Sequence, residues 1–296
     1  MVEKIIVTGA GGLLGYALVR QAIARGFEVC SLDFEHMPDC GRPIKIDLTD
    51  PASVKTCIET EKPQVVVNTA SLTDVDLCER NPELAMRVNG AAAGYLAETC
   101  ENANAFLIHL STDYVFDGNS GNFNENDKPA PVNQYGASKL LGEQLVLKHK
   151  DTCVGRTSVI YGWGRTFRPN FGTWLHSKLS KGEKVNVVSD QFASPTLNTN
   201  LAGMILELME RRWEGLIHLA GATRINRFDF AVKLATAFHF EPSLITSVKS
   251  DSSSWIAARP KDSSLDVTKA KTILNMKPLT VEEALREFAQ TTVRAM

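Results

Sequence analysis

A glycine-rich segment close to the start of the sequence constrains the fold of this chain more than any other feature. The apolar run Ile5-Ile6-Val7 is followed at once by glycines at positions 9, 12 and 15, and then by an amphipathic stretch. Apolar, β-branched runs of this kind are typical of strands buried on both faces of a parallel sheet. The order strand, glycine-rich turn and helix predicts a phosphate site, because a helix N-terminus presents N–H groups to an anion.

The three glycines have separate roles in such a turn. Gly9 allows the tight turn, Gly12 lets the backbone come close to a pyrophosphate, and Gly15 lets the helix pack against the strand. Their spacing is GxxGxxG and differs from the GxGxxG of the common dinucleotide fingerprint. A glycine triplet alone is weak evidence, because flexible loops also collect glycine. Its position directly after an apolar strand favours the phosphate-binding interpretation.

The order of the later elements predicts the fold class. Strands alternate with helices up to residue 158, which predicts an α/β fold with a doubly wound parallel sheet of the Rossmann type. Beyond residue 158 the alternation of strands and helices changes, and we expect a smaller, partly interleaved C-terminal α/β substrate domain. The dinucleotide-binding domain is predicted over residues 1–158 with a returning segment at 196–221. The substrate domain is predicted over residues 159–195 and 222–296.

Three of the predicted elements bear on the site. A strand is expected at residues 44–47 and another at 106–110. A single helix is expected over residues 82–101, interrupted by Asn89 and Gly90. The sequence leaves open whether the Asn89 side chain bonds neighbouring backbone or faces solvent.

Charge and cysteine usage exclude several classes of function. The net charge is −2 with scattered Lys and Arg, so nothing favours nucleic acid or a membrane surface as a partner. No apolar run approaches the roughly 18 residues that a membrane helix needs. The six cysteines lie far apart without a CxxC pair, which predicts no metal site and reduced thiols in a cytoplasmic protein. A strand so near the first residue leaves no room for a signal peptide.

Acidic residues after the second and third predicted strands indicate how a cofactor would bind. Asp33 lies about 20 residues past the glycines, where a carboxylate holds the adenosine ribose hydroxyls. Such a carboxylate repels a 2′-phosphate, so Asp33 favours NADH over NADPH. The alternative is an ordinary loop aspartate. Asp47 and Leu48 lie at the end of the third strand, where an adenine could be clamped.

A tyrosine and a lysine on one helix are the candidate catalytic residues. Tyr135 and Lys139 stand four apart, so their side chains share one helix face. A nearby cation favours the phenolate and is expected to lower the pKa of Tyr135 from its ordinary value near 10. A tyrosine so tuned can give a proton to a carbonyl oxygen while a nicotinamide delivers hydride to the carbon. Thr112, at the end of the preceding strand, supplies a hydroxyl to the same oxygen.

These motifs resemble a known family. Thr8-Gly9-Ala10-Gly11-Gly12-Leu13-Leu14-Gly15, together with Tyr135-Gly136-Ala137-Ser138-Lys139, is similar to the extended short-chain dehydrogenase/reductases. Within that family, the segments 111–118, 156–162, 190–196 and 259–265 resemble the dTDP-4-dehydrorhamnose reductase branch. The resemblance spans nearly the whole chain. It implies reduction of the 4-keto group of a nucleotide-linked 4-keto-6-deoxy sugar, giving dTDP-L-rhamnose, with NADH or NADPH as cofactor.

The resemblance also implies roles for individual residues. Thr112 and Asp113 would touch the sugar. The catalytic residues would be Thr112, Tyr135 and Lys139. The cofactor contacts would be Gly9, Gly12, Leu13, Leu14, Gly15, Asp33, Asp47, Leu48, Ser71, Thr73, Leu110, Tyr135 and Lys139. A homodimer is a further expectation.

Two departures from the family pattern leave alternatives open. The reductases have a substrate-contacting Trp at the position of Val159, although Trp163 lies nearby. Related dehydratases have a Glu at the position of Tyr114, which counts against dehydration here.

The same branch contains the regulatory β subunit of methionine adenosyltransferase, a binding partner with the same Tyr/Lys pair. A nucleotide-sugar epimerase with tightly held NAD⁺ is the third alternative.

Overall fold

The fold is described from a computed structural model that covers residues 3–164, 169–252 and 254–295. Strands alternate with helices over most of this length. The strands are β1 (Lys4–Thr8), β2 (Glu28–Asp33), β3 (Arg42–Lys45), β4 (Val65–Asn68), β5 (Phe106–Thr112), β6 (Thr152–Thr157), β7 (Ile160–Tyr161), β8 (Val185–Val188), β9 (Phe192–Ala193), β10 (Thr196–Leu197), β11 (Gly215–His218), β12 (Ile225–Asn226) and β13 (Ile245–Val248).

The helices cover both faces of the sheet and form most of the C-terminal part. They are α1 (Leu13–Ala24), α2 (Pro51–Glu61), α3 (Val75–Arg80), α4 (Pro82–Ala85), α5 (Ala92–Asn102), α6 (Gln134–Val146), α7 (Phe171–Leu179), α8 (Asn198–Arg211), α9 (Arg227–Ala237), α10 (Thr268–Ile273) and α11 (Val281–Ala295). A π-helical turn, Met86–Ala91, joins α4 to α5. Short 3₁₀ turns occur at Asp113–Val115, Pro242–Leu244 and Ser250–Ser252.

The central sheet has seven strands in the described part of the chain, in the order β11-β6-β5-β4-β1-β2-β3. All neighbouring pairs are parallel. The strand order reverses direction between β1 and β4. In open sheets of this kind the crevice beyond the carboxyl ends of these two strands is where ligands bind. The predicted doubly wound parallel sheet is therefore confirmed.

Apolar layers on both faces of this sheet explain the fold. Ile5, Ile6 and Val7 are fully buried, because consecutive residues of β1 point to opposite faces and both faces are covered. On one face the sheet packs against α1 and α8. On the other face it packs against α2 and α5. The run Ile5-Ile6-Val7 thus contributes side chains to the apolar core on each face of the sheet.

A separate core lies in the C-terminal part of the chain. It is formed mainly by α7, α9 and α11 with β8, and Tyr161, Phe230 and Phe288 are fully buried in it. Three two-stranded sheets, β10-β7, β12-β9 and β13-β8, belong to segments after residue 158. The division into two domains and its limits stay a prediction. No helix among the described residues is long and apolar enough to cross a membrane.

Several elements differ in their bounds from the sequence expectation. The strand expected at 44–47 is Arg42–Lys45, so Asp47 follows it instead of ending it. The helix expected over 82–101 is divided by the π-helical turn, which contains Asn89 and Gly90. Helix α3 was not expected. The strand expected at 106–110 continues to Thr112 because it pairs with β6 along its whole length.

The contact between α1 and β1 leads to a prediction about stability. A Cβ at Gly15 would lie 2.2 Å from the carbonyl oxygen of Gly9 and 2.7 Å from the Cα of Ala10. Gly15→Ala is expected to lower the free energy of unfolding by ~1–3 kcal/mol, because the backbone of Gly9 and Ala10 must move to make room for the new Cβ. Urea denaturation measures the loss.

Gly12→Ala is the matched control in the same turn. A Cβ at Gly12 would meet only the Gly9 carbonyl oxygen, at 3.1 Å, and the residue is exposed. The control is expected to lose less than about 1 kcal/mol. Equal losses in the two variants would contradict the packing role of Gly15.

Candidate active site

The glycine-rich turn joins β1 to α1 at the carboxyl edge of the sheet. Gly9 has a φ of +63°, and a Cβ there would lie 2.7 Å from the backbone nitrogen of Ala70, which follows β4. Gly12 is exposed and is the N-cap of α1, and none of the described side chains caps this helix. The helix N-terminus is therefore open to an anion, as a pyrophosphate-binding turn requires.

The two leucines of this turn have different surroundings. Leu14 is buried in the core between α1 and the sheet. Leu13 is half-buried, and its carbonyl oxygen accepts a hydrogen bond of 3.3 Å from the Asn198 side chain. Asn198 also donates to the carbonyl oxygen of Trp163, at 2.9 Å. Asn198 therefore connects the glycine-rich turn to the segment after β7.

Asp33 ends β2 beside the same turn. Its Oδ2 atom accepts a hydrogen bond of 3.0 Å from the backbone N–H of Gly11. Its Oδ1 atom accepts from the N–H groups of Glu35 and His36, at 3.1 and 2.9 Å. The carboxylate thus lies against the phosphate-binding turn, within the crevice where the ribose contact was expected.

The other candidate cofactor residues follow the carboxyl ends of β3 and β4. Asp47 is exposed, and its Oδ1 atom accepts from both the N–H and the hydroxyl of Thr49. Leu48 is half-buried against the core. Ser71 donates to the Asn89 side chain at 3.0 Å, and Thr73 is exposed. Whether these residues contact a cofactor stays a prediction.

The three candidate catalytic residues come together at the end of β5. Thr112 is the last residue of β5, and Tyr135 lies in the first turn of α6, with its phenol beside the Thr112 hydroxyl. The ring of Tyr114 meets the Tyr135 ring edge-on, at 5.8 Å between centroids. Lys139 lies one turn further along α6, and its Nζ atom donates to the carbonyl oxygen of Leu110 at 2.5 Å.

Burial controls the protonation of this group. It raises the pKa of the Tyr135 phenol above its ordinary value, and the negative charge of Asp113 acts in the same direction. Burial lowers the pKa of Lys139 to about 8, while the charge of Glu143 acts to raise it. The lowered phenol pKa expected from the sequence is therefore wrong for the isolated chain. Loss of water around the phenol is the largest cause of this shift.

Asp113, a candidate sugar contact, is buried among hydroxyl groups. It accepts hydrogen bonds from Thr112, Ser158 and Ser263 at 3.1, 2.7 and 2.5 Å. Burial raises the pKa of its carboxyl, although the hydroxyl donors oppose the shift. Contact with a sugar stays a prediction.

Comparisons with known proteins identify the family. The model of the RmlD substrate binding domain matches residues 3–294 of the chain. The chain belongs to this family.

Similar proteins support this membership. A probable low-salt glycan biosynthesis reductase, Agl14 of Haloferax volcanii, is 36% identical over 94% of this chain and 95% of its own length. The crystal structure of dTDP-4-dehydrorhamnose reductase from Bacillus anthracis in complex with NADP has a TM-score of 0.89. It is 29% identical and covers 98% of this chain and 100% of that one. The β subunit of methionine adenosyltransferase 2 from Rattus norvegicus is 31% identical over 92% of this chain and 82% of its own length.

Two expectations from the sequence are confirmed by these matches. The RmlD family is the branch of the extended short-chain dehydrogenase/reductases that the motifs resemble. Its class is that of the NAD(P)H-dependent oxidoreductases. The β subunit of methionine adenosyltransferase 2 is also similar over most of this chain. The identities of 36% and 29% to the two reductases leave the exact substrate of this chain open.

Asn89 supports the site and was not recognised from the sequence. Its side chain is buried, accepts from Ser71 and from the N–H of Leu72, and donates to the Leu72 carbonyl oxygen and to Ser138. It therefore faces the protein and not solvent. The π-helical turn around it carries the side chain to partners in two other segments. The interrupted helical pattern was the only signal of this in the sequence.

A buried ion pair one helical turn after Lys139 was also not recognised from the sequence. Glu143, one turn after Lys139 on α6, receives two hydrogen bonds from Arg156 of β6, at 2.9 and 2.7 Å. Ser111 of β5 donates to the same carboxylate. Both members of the pair are almost fully buried. The pair therefore connects α6 to the two strands beside the candidate catalytic residues.

Two arginines lie near the phenol of Tyr114. The positive charges of Arg227 and Arg259 both act to lower the pKa of this phenol, although burial raises it. Arg259 also donates to Asp76 at 2.9 Å. The sequence did not indicate that both arginines lie near Tyr114, because one belongs to α9 and the other to the segment before α10.

The buried ion pair leads to a prediction about stability. Glu143→Gln is expected to lower the free energy of unfolding by about 3–5 kcal/mol, because Arg156 would remain charged and buried without its partner. Chemical denaturation measures the change. Glu59→Gln is the matched control, because Glu59 pairs with Lys55 at 3.8 Å on the exposed surface. That variant is expected to lose less than about 1 kcal/mol. A similar small loss in Glu143→Gln would contradict the importance of the buried pair.

Proposed function

We propose that this chain uses NADH or NADPH to reduce the 4-keto group of a nucleotide-linked 4-keto-6-deoxy sugar. The observation that carries the proposal is the half-buried Tyr135, whose phenol lies beside the Thr112 hydroxyl, with the buried Lys139 one turn further along the same helix. When bound, the reduced nicotinamide supplies a hydride to the carbonyl carbon of the sugar.

Tyr135 acts as the proton donor. Its raised pKa keeps the phenol protonated at neutral pH, so a proton is available for the carbonyl oxygen as that oxygen becomes a hydroxyl. The phenolate that remains is stabilised by the ammonium of Lys139, which stays mostly charged at pH 7 because its pKa is about 8. Thr112 holds the phenol in position. The phenolate recovers its proton from solvent before the next turnover.

The crevice at β1 and β4 fits a dinucleotide. The open N-terminus of α1 would hold the pyrophosphate, with Gly9, Gly12, Leu13, Leu14 and Gly15 forming the turn around it. Asp33 would hold the adenosine ribose, which favours NADH. The remaining contacts proposed are Asp47, Leu48, Ser71, Thr73 and Leu110, with Tyr135 and Lys139 near the nicotinamide ribose.

The substrate is proposed to be a nucleoside diphosphate sugar. Arg227 and Arg259 supply two guanidinium groups near Tyr114, and guanidinium groups suit the oxygens of a diphosphate. The similar protein from Bacillus anthracis is named a dTDP-4-dehydrorhamnose reductase. We therefore propose a dTDP-linked sugar and dTDP-L-rhamnose as product. A cytoplasmic location and a homodimer remain predictions.

Turnover on a panel of dTDP- and UDP-linked 4-keto-6-deoxy sugars tests the proposal. Loss of absorbance of the reduced cofactor is expected with a dTDP-linked sugar. Tyr135→Phe is expected to lower kcat by ~10²–10⁴-fold because the donated proton is removed. Cofactor affinity in this variant should stay within about threefold of wild type. Wild-type rates in the variant would mean that another group gives the proton.

The same preparation separates the two alternatives. A regulatory subunit would consume no reduced cofactor with any sugar and would be recovered with an adenosyltransferase. An epimerase would retain oxidised NAD⁺ through purification, whereas a reductase must exchange its cofactor in every turnover. Either result would overturn the reductase.

Asp33 tests the preference between the two cofactors. Asp33→Ala is expected to raise affinity for NADPH relative to NADH by about tenfold, because a charge that repels the 2′-phosphate is removed. Fluorescence titration measures both dissociation constants. Asp47→Ala is the matched control, since adenine is common to both cofactors and the ratio should not change. An unchanged ratio in Asp33→Ala would mean that this carboxylate does not meet the ribose.

A further inference from the structure

A short segment before α10, residues 254–260, is tied to α3 by one carboxylate. The Oδ1 atom of Asp76, in the first turn of α3, accepts hydrogen bonds from the N–H groups of Ile256 and Ala257, at 3.3 and 3.1 Å. The same oxygen accepts from the Arg259 guanidinium at 2.9 Å. One carboxylate oxygen thus holds both the backbone of this segment and its arginine side chain.

Helix α3 and the segment 254–260 are both bonded to the start of α6, the helix that carries the candidate proton donor. On α3, the Glu79 side chain accepts a hydrogen bond of 2.9 Å from the N–H of Gln134. Asn133, the N-cap residue of α6, donates to the carbonyl oxygen of Ala258 at 2.8 Å. The segment is therefore held against two elements beside the candidate site, and Asp76 provides its bonds to one of them.

The Arg259 guanidinium reaches from this segment towards the candidate site. One terminal nitrogen donates to Asp76 and the other to the Ala257 carbonyl oxygen, at 3.1 Å. Its positive charge acts on the phenol of Tyr114, whose ring meets the ring of Tyr135. These two bonds use two of the five N–H donors of a guanidinium. An arginine held in this way can still offer N–H groups to a ligand.

The negative charge of Asp76 gives it two opposite effects on an anionic ligand. Burial acts to raise the pKa of its carboxyl, but the N–H of Ala257 and the guanidinium of Arg259 outweigh burial and lower the pKa. A charged carboxylate holds N–H donors more firmly than a neutral acceptor does. The same charge repels a diphosphate. Removal of Asp76 would therefore weaken binding if its main role is to hold Arg259, and strengthen binding if repulsion dominates.

We propose that Asp76 is a positioning residue for the substrate, which holds Arg259 and the segment 254–260 in place to receive the diphosphate of a nucleoside diphosphate sugar. This inference rests on the proposed function, which assigns the diphosphate to Arg227 and Arg259. Without Asp76, the binding step would have to order the arginine and its backbone, and that ordering opposes binding. The role therefore concerns affinity for the nucleotide part of the substrate and not the reduction step.

The first test is calorimetric binding of dTDP and UDP, which needs no turnover. Asp76→Ala is expected to weaken binding of the nucleotide that wild type prefers by about tenfold, because Arg259 is no longer held. Binding of NADH, measured by fluorescence titration, is expected to stay within about twofold of wild type. Nucleotide binding as tight as in wild type, or tighter, would overturn the inference, and so would equal losses for nucleotide and NADH.

Asp76→Asn tests whether the hydrogen bonds carry the effect. An asparagine Oδ1 atom can accept the same three hydrogen bonds without a negative charge. This variant is therefore expected to bind the nucleotide within about threefold of wild type. A loss as large as that of Asp76→Ala would overturn the inference.

Steady-state kinetics ask whether Asp76 acts on binding and through Arg259. Asp76→Ala is expected to raise KM for the dTDP-linked 4-keto-6-deoxy sugar by about tenfold and to leave kcat within about twofold. In an Arg259→Ala background, Asp76→Ala is expected to cause no further rise in KM, because the side chain that it positions is gone. A fall in kcat at unchanged KM, or losses that multiply in the double variant, would overturn the inference.

Glu207→Ala is the matched control, because Glu207 on α8 has the same kinds of partner. It accepts from the N–H groups of Asn275 and Met276, both at 2.7 Å, and pairs with Arg211 at 2.6 Å. This variant is expected to lose stability and to keep nucleotide affinity, kcat and KM within about twofold of wild type. A loss of nucleotide affinity as large as that of Asp76→Ala would make the effect one of general stability and overturn the inference.

Two further arms keep the test decisive. The Asp76 side chain is 25% exposed, so Asp76→Ala is expected to fold. If it does not fold, Asp76→Ser has a shorter side chain that suits the start of a helix, and the same loss of nucleotide affinity is expected. A wild type that binds the nucleotide but reduces no sugar overturns the proposed reduction alone, and calorimetry still decides the role of Asp76. A wild type that binds neither dTDP nor UDP overturns both.

Discussion

The close approach of α1 to β1, which glycine alone permits at position 15, is the constraint on which the rest of the structure depends. It brings the helix N-terminus to the carboxyl edge of the sheet, at the point where the strand order reverses. Because the strands are parallel, their other functional side chains arrive at the same edge. Asp33 ends β2 and Thr112 ends β5. The candidate cofactor site and the candidate catalytic Thr112 therefore lie at the same edge of the sheet.

Features that depend on neighbouring residues could be predicted from the sequence. Helix α2 begins at Pro51, whose fixed φ suits the first turn of a helix, and the Asp50 side chain caps it. Tyr135 and Lys139 share a helix face by spacing alone. The buried strand at Ile5-Ile6-Val7 followed from an unbroken apolar run. In each case the physical cause lies within a few residues.

Features that depend on distant residues could not be predicted in this way. The partners of Asp113 lie 45 and 150 residues away, and no local pattern marks them. The end of β3 at Lys45 is set by pairing with β2, and an apolar pattern does not specify where pairing stops. The protonation of Tyr135 was misjudged for the same reason. A lysine at helical spacing is visible in the sequence, but the removal of water from the phenol is not.

Burial of polar groups beside the candidate catalytic residues carries a cost in stability. Lys139, Asp113, Glu143 and Arg156 are all buried near one end of α6, where each would destabilise the fold without its partners. Lys139 donates to the Leu110 carbonyl oxygen, Arg156 pairs with Glu143, and Asp113 accepts from hydroxyl groups of three segments. A reaction that moves a proton next to a hydride acceptor requires groups held in place away from water, and that requirement accounts for the cost of burying them.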